Sequence, residues 1–511
     1  MIRHSGLVLT ALLTLILLFA PLPFGGVTAW ADATLRAAAF LALVLAAVSL
    51  ERPAALRPAA VPVAALAAVA LLGLLQSAPL PAGLVALLSP GHGGLQRQAA
   101  ALVEEEPALA ARLSLARLSL APTASRSAAL GWAAAAAVFL AAVVAGRQRR
   151  QRRWLGGAVL AGGLFQVFFG ARDGFARAST LWGVDLHVPA LRLRGTFVNP
   201  NHAALYVEMA LPVAFAWTWW AVRRAADQPL LERRLLLSGP PVLAWLTLFA
   251  GLAFTGSRAG LLAAIAAVSV QGALVAGFSR RRWLAALGVL AALAGVGVVA
   301  AIAPREGLGR LLSTTATDVS LGARFEEYRA VLGLWARFPV TGVGLGAFRD
   351  AFPLVQTAVL EGTWWHPHDD FLEVLVTGGL VGAVLVAAGI WGLLRSLRRV
   401  LRDGWRSEDR AAGLAALGVL ISAGIHETLD FGLSMPGNAV TLAILLGAVT
   451  AARRRGPSAQ LDRARHDLVE LRVDDVESVE PRPEGGRQPQ RRRHSRRGAQ
   501  GEEAEAGAVE A

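Results

Sequence analysis

Residues 128–170 read AALGWAAAAAVFLAAVVAGRQRRQRRWLGGAVLAGGLFQVFFG, two apolar runs separated by a cluster of arginines. The runs cover residues 128–145 and 155–170, and each approaches the roughly 20 residues that an α-helix needs to cross a bilayer. The arginines between Arg147 and Arg153 are typical of a short connection on the cytoplasmic side. The stretch therefore predicts two transmembrane helices joined in the cytoplasm.

The same pattern extends over most of the chain. The protein has 511 residues, of which 55% are hydrophobic and 17% charged, whereas soluble proteins carry about 25% charged residues. We therefore predict an all-α, polytopic membrane protein of about 12 transmembrane helices. The predicted spans are residues 6–23, 34–50, 59–77, 128–145, 155–170, 202–221, 240–255, 259–277, 284–303, 371–394, 412–430 and 437–451.

Arginine clusters predict the orientation of these spans. With the N-terminus in the cytoplasm, every cluster falls on a cytoplasmic connection, as the positive-inside rule requires. Three long connections then face outward, at about residues 78–127, 171–201 and 304–370, and the last is a large periplasmic loop. The clusters run from Glu51 to Arg57, Arg147 to Arg153, Arg223 to Arg234, Arg280 to Arg282, Arg395 to Arg410 and Arg453 to Arg455.

Composition also divides the chain and excludes some functions. Residues 1–455 form the predicted transmembrane domain, and residues 456–511, rich in Pro, Gly and charge, form a disordered cytoplasmic tail. The tail's arginines suit contact with anionic membrane lipids, and a solvated tail is the alternative. The net charge of +14 does not indicate nucleic-acid binding, because the arginines lie in short clusters between apolar runs. The absence of Cys excludes disulfides and thiolate chemistry.

Three arginines lie on the predicted outer side, near span ends. Arg194 precedes the sixth span, Arg258 lies in the tight hairpin TGSRAG, and Arg324 belongs to a predicted loop helix, where it shares a face with Glu327 or Tyr328. Together they form a donor set suited to phosphate groups. The alternatives are snorkelling side chains at the membrane surface and a solvated amphipathic helix.

A histidine-rich stretch, WWHPHDDFLE, precedes the tenth span. His368, beside Asp369, is a candidate general base near neutral pH. A metal site made by His366, His368 and Asp370 is an alternative that Pro367 disfavours, so we predict no metal. Five further polar residues at outer span ends are expected to line the same site or to support helix packing. They are Asn201, His202, Asp369, His426 and Asp430.

Residues 190–450 resemble the superfamily of O-antigen ligases and O-antigen polymerases. The resemblance rests on the order and spacing of several short motifs. Asp369 departs from the ligase pattern, which has Asn, Ser or Gln after the histidine, and this leaves the choice between ligase and polymerase open. The motifs are GTFVNPNH at 195–202, TGSRAG at 255–260, Arg324 with Trp335, Pro339 and GVGLG at 342–346, and His368 followed by GLVG at 379–382.

The resemblance implies a glycosyltransferase of the bacterial inner membrane with its active site facing the periplasm. The expected donor is a glycan on undecaprenyl pyrophosphate, and the acceptor is a hydroxyl of lipid A core, of another glycan or of a protein. His368 is expected to act as catalytic base, and Arg194, Arg258 and Arg324 to bind the pyrophosphate, with no cofactor and no metal. The transfer is expected to invert the anomeric centre.

Two kinds of alternative remain open. Within the superfamily, the alternatives are an O-antigen or exopolysaccharide polymerase and a protein O-oligosaccharyltransferase. In another class, it is a transporter of polysaccharide or lipid-linked glycan. Transporters tend to place ionisable residues near the bilayer midplane, whereas the polar residues here are predicted to cluster at one face.

Overall fold

The computed structural model describes residues 2–50, 53–102, 115–187, 191–278, 319–403 and 407–450. The predicted ninth span (284–303), the start of the predicted large loop (304–318) and the predicted tail (456–511) lie outside the described residues. The described part is built almost wholly of helices. In chain order the α-helices are α1 Ile2–Phe19, α2 Ala29–Ser49, α3 Ala60–Ser77, α4 Ala82–Leu88, α5 Pro90–Leu102, α6 Pro122–Ala145, α7 Arg149–Ala176, α8 Pro200–Ala226, α9 Leu231–Thr255, α10 Arg258–Phe278, α11 Val319–Arg337, α12 Phe348–Ala351, α13 Asp370–Asp403, α14 Ser407–His426 and α15 Pro436–Thr450.

Eight of the described helices are long and apolar enough to cross a membrane, namely α2, α3, α6, α7, α8, α9, α10 and α13. Helices α1 and α15 are apolar but shorter, and α14 has 20 residues. Each of these eleven helices coincides with one of the predicted spans. The prediction of an all-α, polytopic membrane protein is therefore confirmed.

The predicted outer connections carry short elements instead of continuous coil. Within them, α4, α5, α11 and α12 lie between the spans. Two antiparallel pairs of two-residue strands join β1 Leu80–Pro81 to β2 Leu115–Ala116 and β3 Thr180–Leu181 to β4 Val184–Asp185. The predicted loop helix that contains Arg324 is present as α11.

Helix α8 lies at the centre of one half of the bundle and packs against α7, α9, α10 and α14. Its N-terminal half is buried on every side, including Tyr206 and Glu208. In the other half, α6 packs against α2, α3 and α15. A Cβ added to Gly447 would lie 2.4 Å from the carbonyl oxygen of Phe139, so glycine lets α15 and α6 approach closely.

Helix α13 is interrupted by a kink, because Gly379 adopts φ 64° and ψ −166°, a conformation open essentially to glycine alone. The glycine-rich turn that follows α11 fits into this kink. Backbone N–H groups of Leu380 and Val381 donate to Pro339 and Val340, and those of Val343 and Gly344 donate to Val376 and Thr377, all at 2.9–3.2 Å. These four bonds hold α11 beside the N-terminus of α13.

The arginine cluster at residues 147–153 makes a buried ion pair with the start of α14. Arg152, with a side chain 7% exposed, pairs with Asp409, which is 2% exposed, and Arg149 lies 2.9 Å from the same carboxylate. Asp409 is in the first turn of α14, so the pair joins the start of α14 to the start of α7. The cluster that predicted a cytoplasmic connection therefore also contributes to helix packing.

Candidate active site

The ring of Phe431 lies among three histidines that come from distant parts of the chain. Its centroid is 4.9 Å from the ring of His202 on α8, 4.7 Å from that of His366 and 5.1 Å from that of His368. Phe431 follows α14, whereas His366 and His368 precede α13. The structure thus brings together the ends of α8, α13 and α14 at one end of the bundle.

His368 has an unusual backbone and a carboxylate partner. Its φ is +47°, in the left-handed region, which non-glycine residues adopt rarely and often at functional sites. Its Nδ1 lies 3.4 Å from Oε1 of Glu327 on α11, and its ring is nearly perpendicular to that of Trp364, with centroids 5.5 Å apart. The His368 side chain is about one-third exposed, and that of Glu327 is fully buried. The histidine is therefore held on one side and open on another.

Helix α11 contacts the site through three polar residues, Arg324, Glu327 and Tyr328. Nη1 of Arg324 donates to the carbonyl oxygen of Leu429 at 3.0 Å. The hydroxyl of Tyr328 donates to the carbonyl oxygen of His368 at 3.2 Å, and burial raises the pKa of Tyr328 to about 12. Burial also raises the pKa of Glu327, against the opposing effects of His368 and Arg324. The loop helix is thereby joined to the segment before α13, which contains His368, and to the segment after α14, which contains Leu429.

A second chain of polar contacts starts at Asp430, which is buried. Nδ2 of Asn201 donates to Oδ2 of Asp430 at 2.7 Å, and Nε2 of His202 lies 3.8 Å from Oδ1. Oδ1 of Asn201 accepts a hydrogen bond from Nη2 of Arg192 at 2.7 Å, and Nε of Arg192 donates to the carbonyl oxygen of Thr255. These contacts connect the start of α8 to the hairpin that contains Arg258.

Arg258 is the first residue of α10 and is half-buried at the hairpin between α9 and α10. The N–H of Leu193 donates to the carbonyl oxygen of Phe254 at 2.9 Å, so the segment that contains Arg194 runs beside this hairpin. Arg194 itself is 3% exposed, and its Nη2 donates to Ala178 at 2.9 Å. Its Nε is buried and has no hydrogen-bond partner among the described residues.

Asp369 has a local structural role. Its Oδ1 accepts a hydrogen bond from the N–H of Leu372 at 2.8 Å, the geometry of an N-cap for α13, which begins at the next residue. Burial raises the pKa of Asp369, and backbone hydrogen bonds oppose the rise. Asn and Ser, two of the three residues that the resemblance led us to expect here, are N-caps as good as Asp, so Asp369 preserves the local structure that either would give.

His366 forms a second pair with a carboxylate. Its Nδ1 lies 2.8 Å from Oε2 of Glu373, one turn into α13, and 3.3 Å from the hydroxyl of Ser434. Burial lowers the pKa of His366, but the hydrogen bond and the charge of Glu373 outweigh burial and raise it. Within the described residues, no group of three or more His, Asp or Glu side chains is arranged to hold a metal ion.

His426 lies deeper in the bundle than the other predicted residues. Its Nδ1 is 2.8 Å from Oε1 of Glu208, and both side chains are fully buried. Glu208 also lies against the first turn of α10, since a Cβ added to Gly260 would lie 2.4 Å from its Oε1. His426 therefore contributes to the packing of the helices that carry the site, and its side chain has no exposed surface.

The structure thus joins Asn201, His202, Arg324, His368 and Asp430 in one cluster. Arg258 lies in the hairpin whose Thr255 accepts a hydrogen bond from Arg192, and Arg194 lies in the segment beside this hairpin. Two residues that contact the cluster, and one that lies beside His426, were not selected from the sequence. Arg192 and Phe431 carried no distinguishing pattern. Glu208 is a lone carboxylate within an apolar run. Because ionisable residues inside a membrane are commonly functional or paired, its position could have identified it from the sequence.

This arrangement, a bundle of apolar helices with a polar site at one end, defines a polytopic membrane protein with an enclosed polar cluster. A family model described as O-antigen ligase matches residues 242–387, which lie within the stretch that resembles this superfamily in sequence. The matched segment runs from α9 into α13 and includes Arg258, Arg324 and His368. No curated protein shows a significant match to the chain.

Proposed function

We propose that the protein transfers a glycan from an undecaprenyl-pyrophosphate carrier to an acceptor hydroxyl at the periplasmic face of the bacterial inner membrane. The observation that carries the proposal is the position of His368. This histidine lies within the matched family segment, is partly exposed, and is held by Glu327 on the helix that also bears Arg324. An O-antigen ligase-type reaction requires such a base beside fixed positive charge.

In the proposed reaction, His368 takes the proton of the acceptor hydroxyl as that oxygen attacks the anomeric carbon. A bond forms between the acceptor oxygen and this carbon, and the bond from the carbon to the pyrophosphate oxygen breaks. The leaving group is undecaprenyl pyrophosphate, which gains negative charge as it departs. A single displacement of this kind inverts the anomeric centre.

Arg194, Arg258 and Arg324 are proposed to receive this charge. Guanidinium groups bind phosphate oxygens through paired N–H donors and remain charged at all relevant pH values. The buried, unpartnered Nε of Arg194 supports the assignment for that residue. Since arginines supply the fixed positive charge, the proposed mechanism does not call for a divalent ion.

The test uses the purified protein with a lipid-linked oligosaccharide and, in separate reactions, lipid A core, a second lipid-linked glycan and a protein acceptor. His368→Ala is expected to lower transfer by about 10²–10⁴-fold, the usual contribution of a general base. The matched control is His187→Ala, a strongly exposed histidine of an outer connection. Wild-type transfer by folded His368→Ala protein would refute the proposal, and the productive acceptor identifies the subclass.

A further inference from the structure

Glu327 presents a fully buried carboxylate to His368. The two carboxylate oxygens lie 3.4 Å and 3.3 Å from Nδ1 of the histidine, so the group faces a single ring nitrogen. Its neighbour Glu326, on the same turn of α11, is exposed. Two adjacent glutamates in one helix therefore occupy opposite environments, and only Glu327 points at the candidate base.

Burial of this carboxylate is not explained by packing alone. A buried carboxylate costs several kcal/mol unless hydrogen bonds or charges compensate it. Oε2 of Glu327 accepts no hydrogen bond among the described residues, and Oε1 has His368 as its side-chain partner. A carboxylate retained in such surroundings for structure alone would be expected to receive several donors. The contact with His368 is thus the main compensation.

We propose that Glu327 is the positioning residue of His368, an inference that rests on the proposed function. The ionised carboxylate accepts a hydrogen bond from the Nδ1–H of His368, which leaves Nε2 unprotonated and able to take the proton of the acceptor. When Nε2 becomes protonated, the same carboxylate stabilises the imidazolium. The Glu327–His368 pair then performs the two roles of a base and its orienting carboxylate.

The opposite arrangement is chemically distinct. A protonated Glu327 would donate its O–H to Nδ1, and the neutral ring would then carry its proton on Nε2. In that tautomer Nε2 cannot accept a proton from a hydroxyl. The tautomer of His368 therefore separates a positioning carboxylate from a buried acid that only fills space.

The first experiment compares Glu327→Gln with the matched control Glu326→Gln in steady-state transfer. Glu327→Gln is expected to lower kcat on the order of 10²-fold, with an unchanged KM for the lipid-linked donor, because the change alters the base and not the pyrophosphate site. Glu326→Gln is expected to behave as wild type. A Glu327→Gln enzyme whose kcat stays within about twofold of wild type overturns the inference.

The second experiment records ¹⁵N NMR spectra of histidine-labelled wild-type protein, with His368→Ala used to assign the resonance. The neutral ring of His368 is expected to be protonated on Nδ1, a readout that does not depend on Glu327→Gln folding. Protonation on Nε2 in the wild type contradicts the inference. If His368→Ala is inactive while Glu327→Gln is normal, only this inference fails. If His368→Ala remains active, the proposed function itself fails.

Discussion

Gly379, at the kink of α13, is expected to be required for the stability of this region, whereas the nearby Gly378 and Gly382 are not. Alanine at position 379 meets two obstacles. Its Cβ would lie 2.2 Å from the carbonyl oxygen of Val340, and its φ of +64° with ψ −166° falls in a region that alanine avoids. By contrast, Cβ atoms added to Gly378 or Gly382 would have nearest neighbours at 3.5 Å, an ordinary van der Waals distance.

The magnitude follows from these contacts. Backbone strain at such a position costs about 1–3 kcal/mol. Relief of the clash requires the turn at 339–346 to move away from α13, and loss of two to four of its backbone hydrogen bonds adds about 2–4 kcal/mol. Gly379→Ala is therefore expected to destabilise this region by roughly 3–7 kcal/mol, while Gly378→Ala and Gly382→Ala change it by less than about 1 kcal/mol.

The effect on activity follows from what the turn holds in place. The turn leads directly from α11, which carries Arg324 and Glu327, so its displacement separates these residues from His368. The assay measures thermal stability of the three detergent-solubilised variants and their rates of glycan transfer. Equal stability and equal transfer in Gly379→Ala and Gly382→Ala would show that the kink does not position the site.

Three further predictions concern charged residues. Asp409→Ala leaves Arg152 buried without its carboxylate partner and is expected to cost about 3–5 kcal/mol of stability in a denaturant titration. The control is Asp227→Ala, a change at an exposed residue, and an equal loss of stability in both variants contradicts the buried ion pair. Arg324→Ala is expected to lower the rate of glycan transfer by about 10²–10³-fold. Arg329→Ala, at an exposed residue of the same helix, is expected to leave the rate unchanged, and comparable rates in the two variants contradict a role for Arg324 in charge stabilisation. Because the pKa of His366 is raised above its ordinary value of 6.5, its pairing with Glu373 stabilises the fold fully below pH 6.5 and is lost as the pH rises through the higher folded value. Glu373→Gln should flatten this decline in melting temperature above pH 6.5, and an unchanged slope rules out the pair as its source.

Spans and their order followed from the sequence because the bilayer imposes a simple rule on composition. A helix that crosses it needs a long apolar run, and arginines such as those at 147–153 interrupt these runs at their ends. The clustering of chemistry at one end followed from the same alternation, since Arg258, Arg324 and His368 were each assigned to the outer side. Local pattern was sufficient for these inferences.

The partners of those residues were decided only by tertiary packing. The sequence placed Glu327 on the helix face of Arg324, but only the packing of α11 against α13 shows that Glu327 is buried while its neighbour Glu326 is exposed. Arg152 pairs with Asp409, and Asn201 donates a hydrogen bond to Asp430, although more than 200 residues of chain separate the partners in each case. Such contacts depend on how helices approach one another, and they carry no periodic signal. The sequence by itself thus determined a bundle of membrane-spanning helices with its polar residues at span ends, and the tertiary structure decided which carboxylate faces His368.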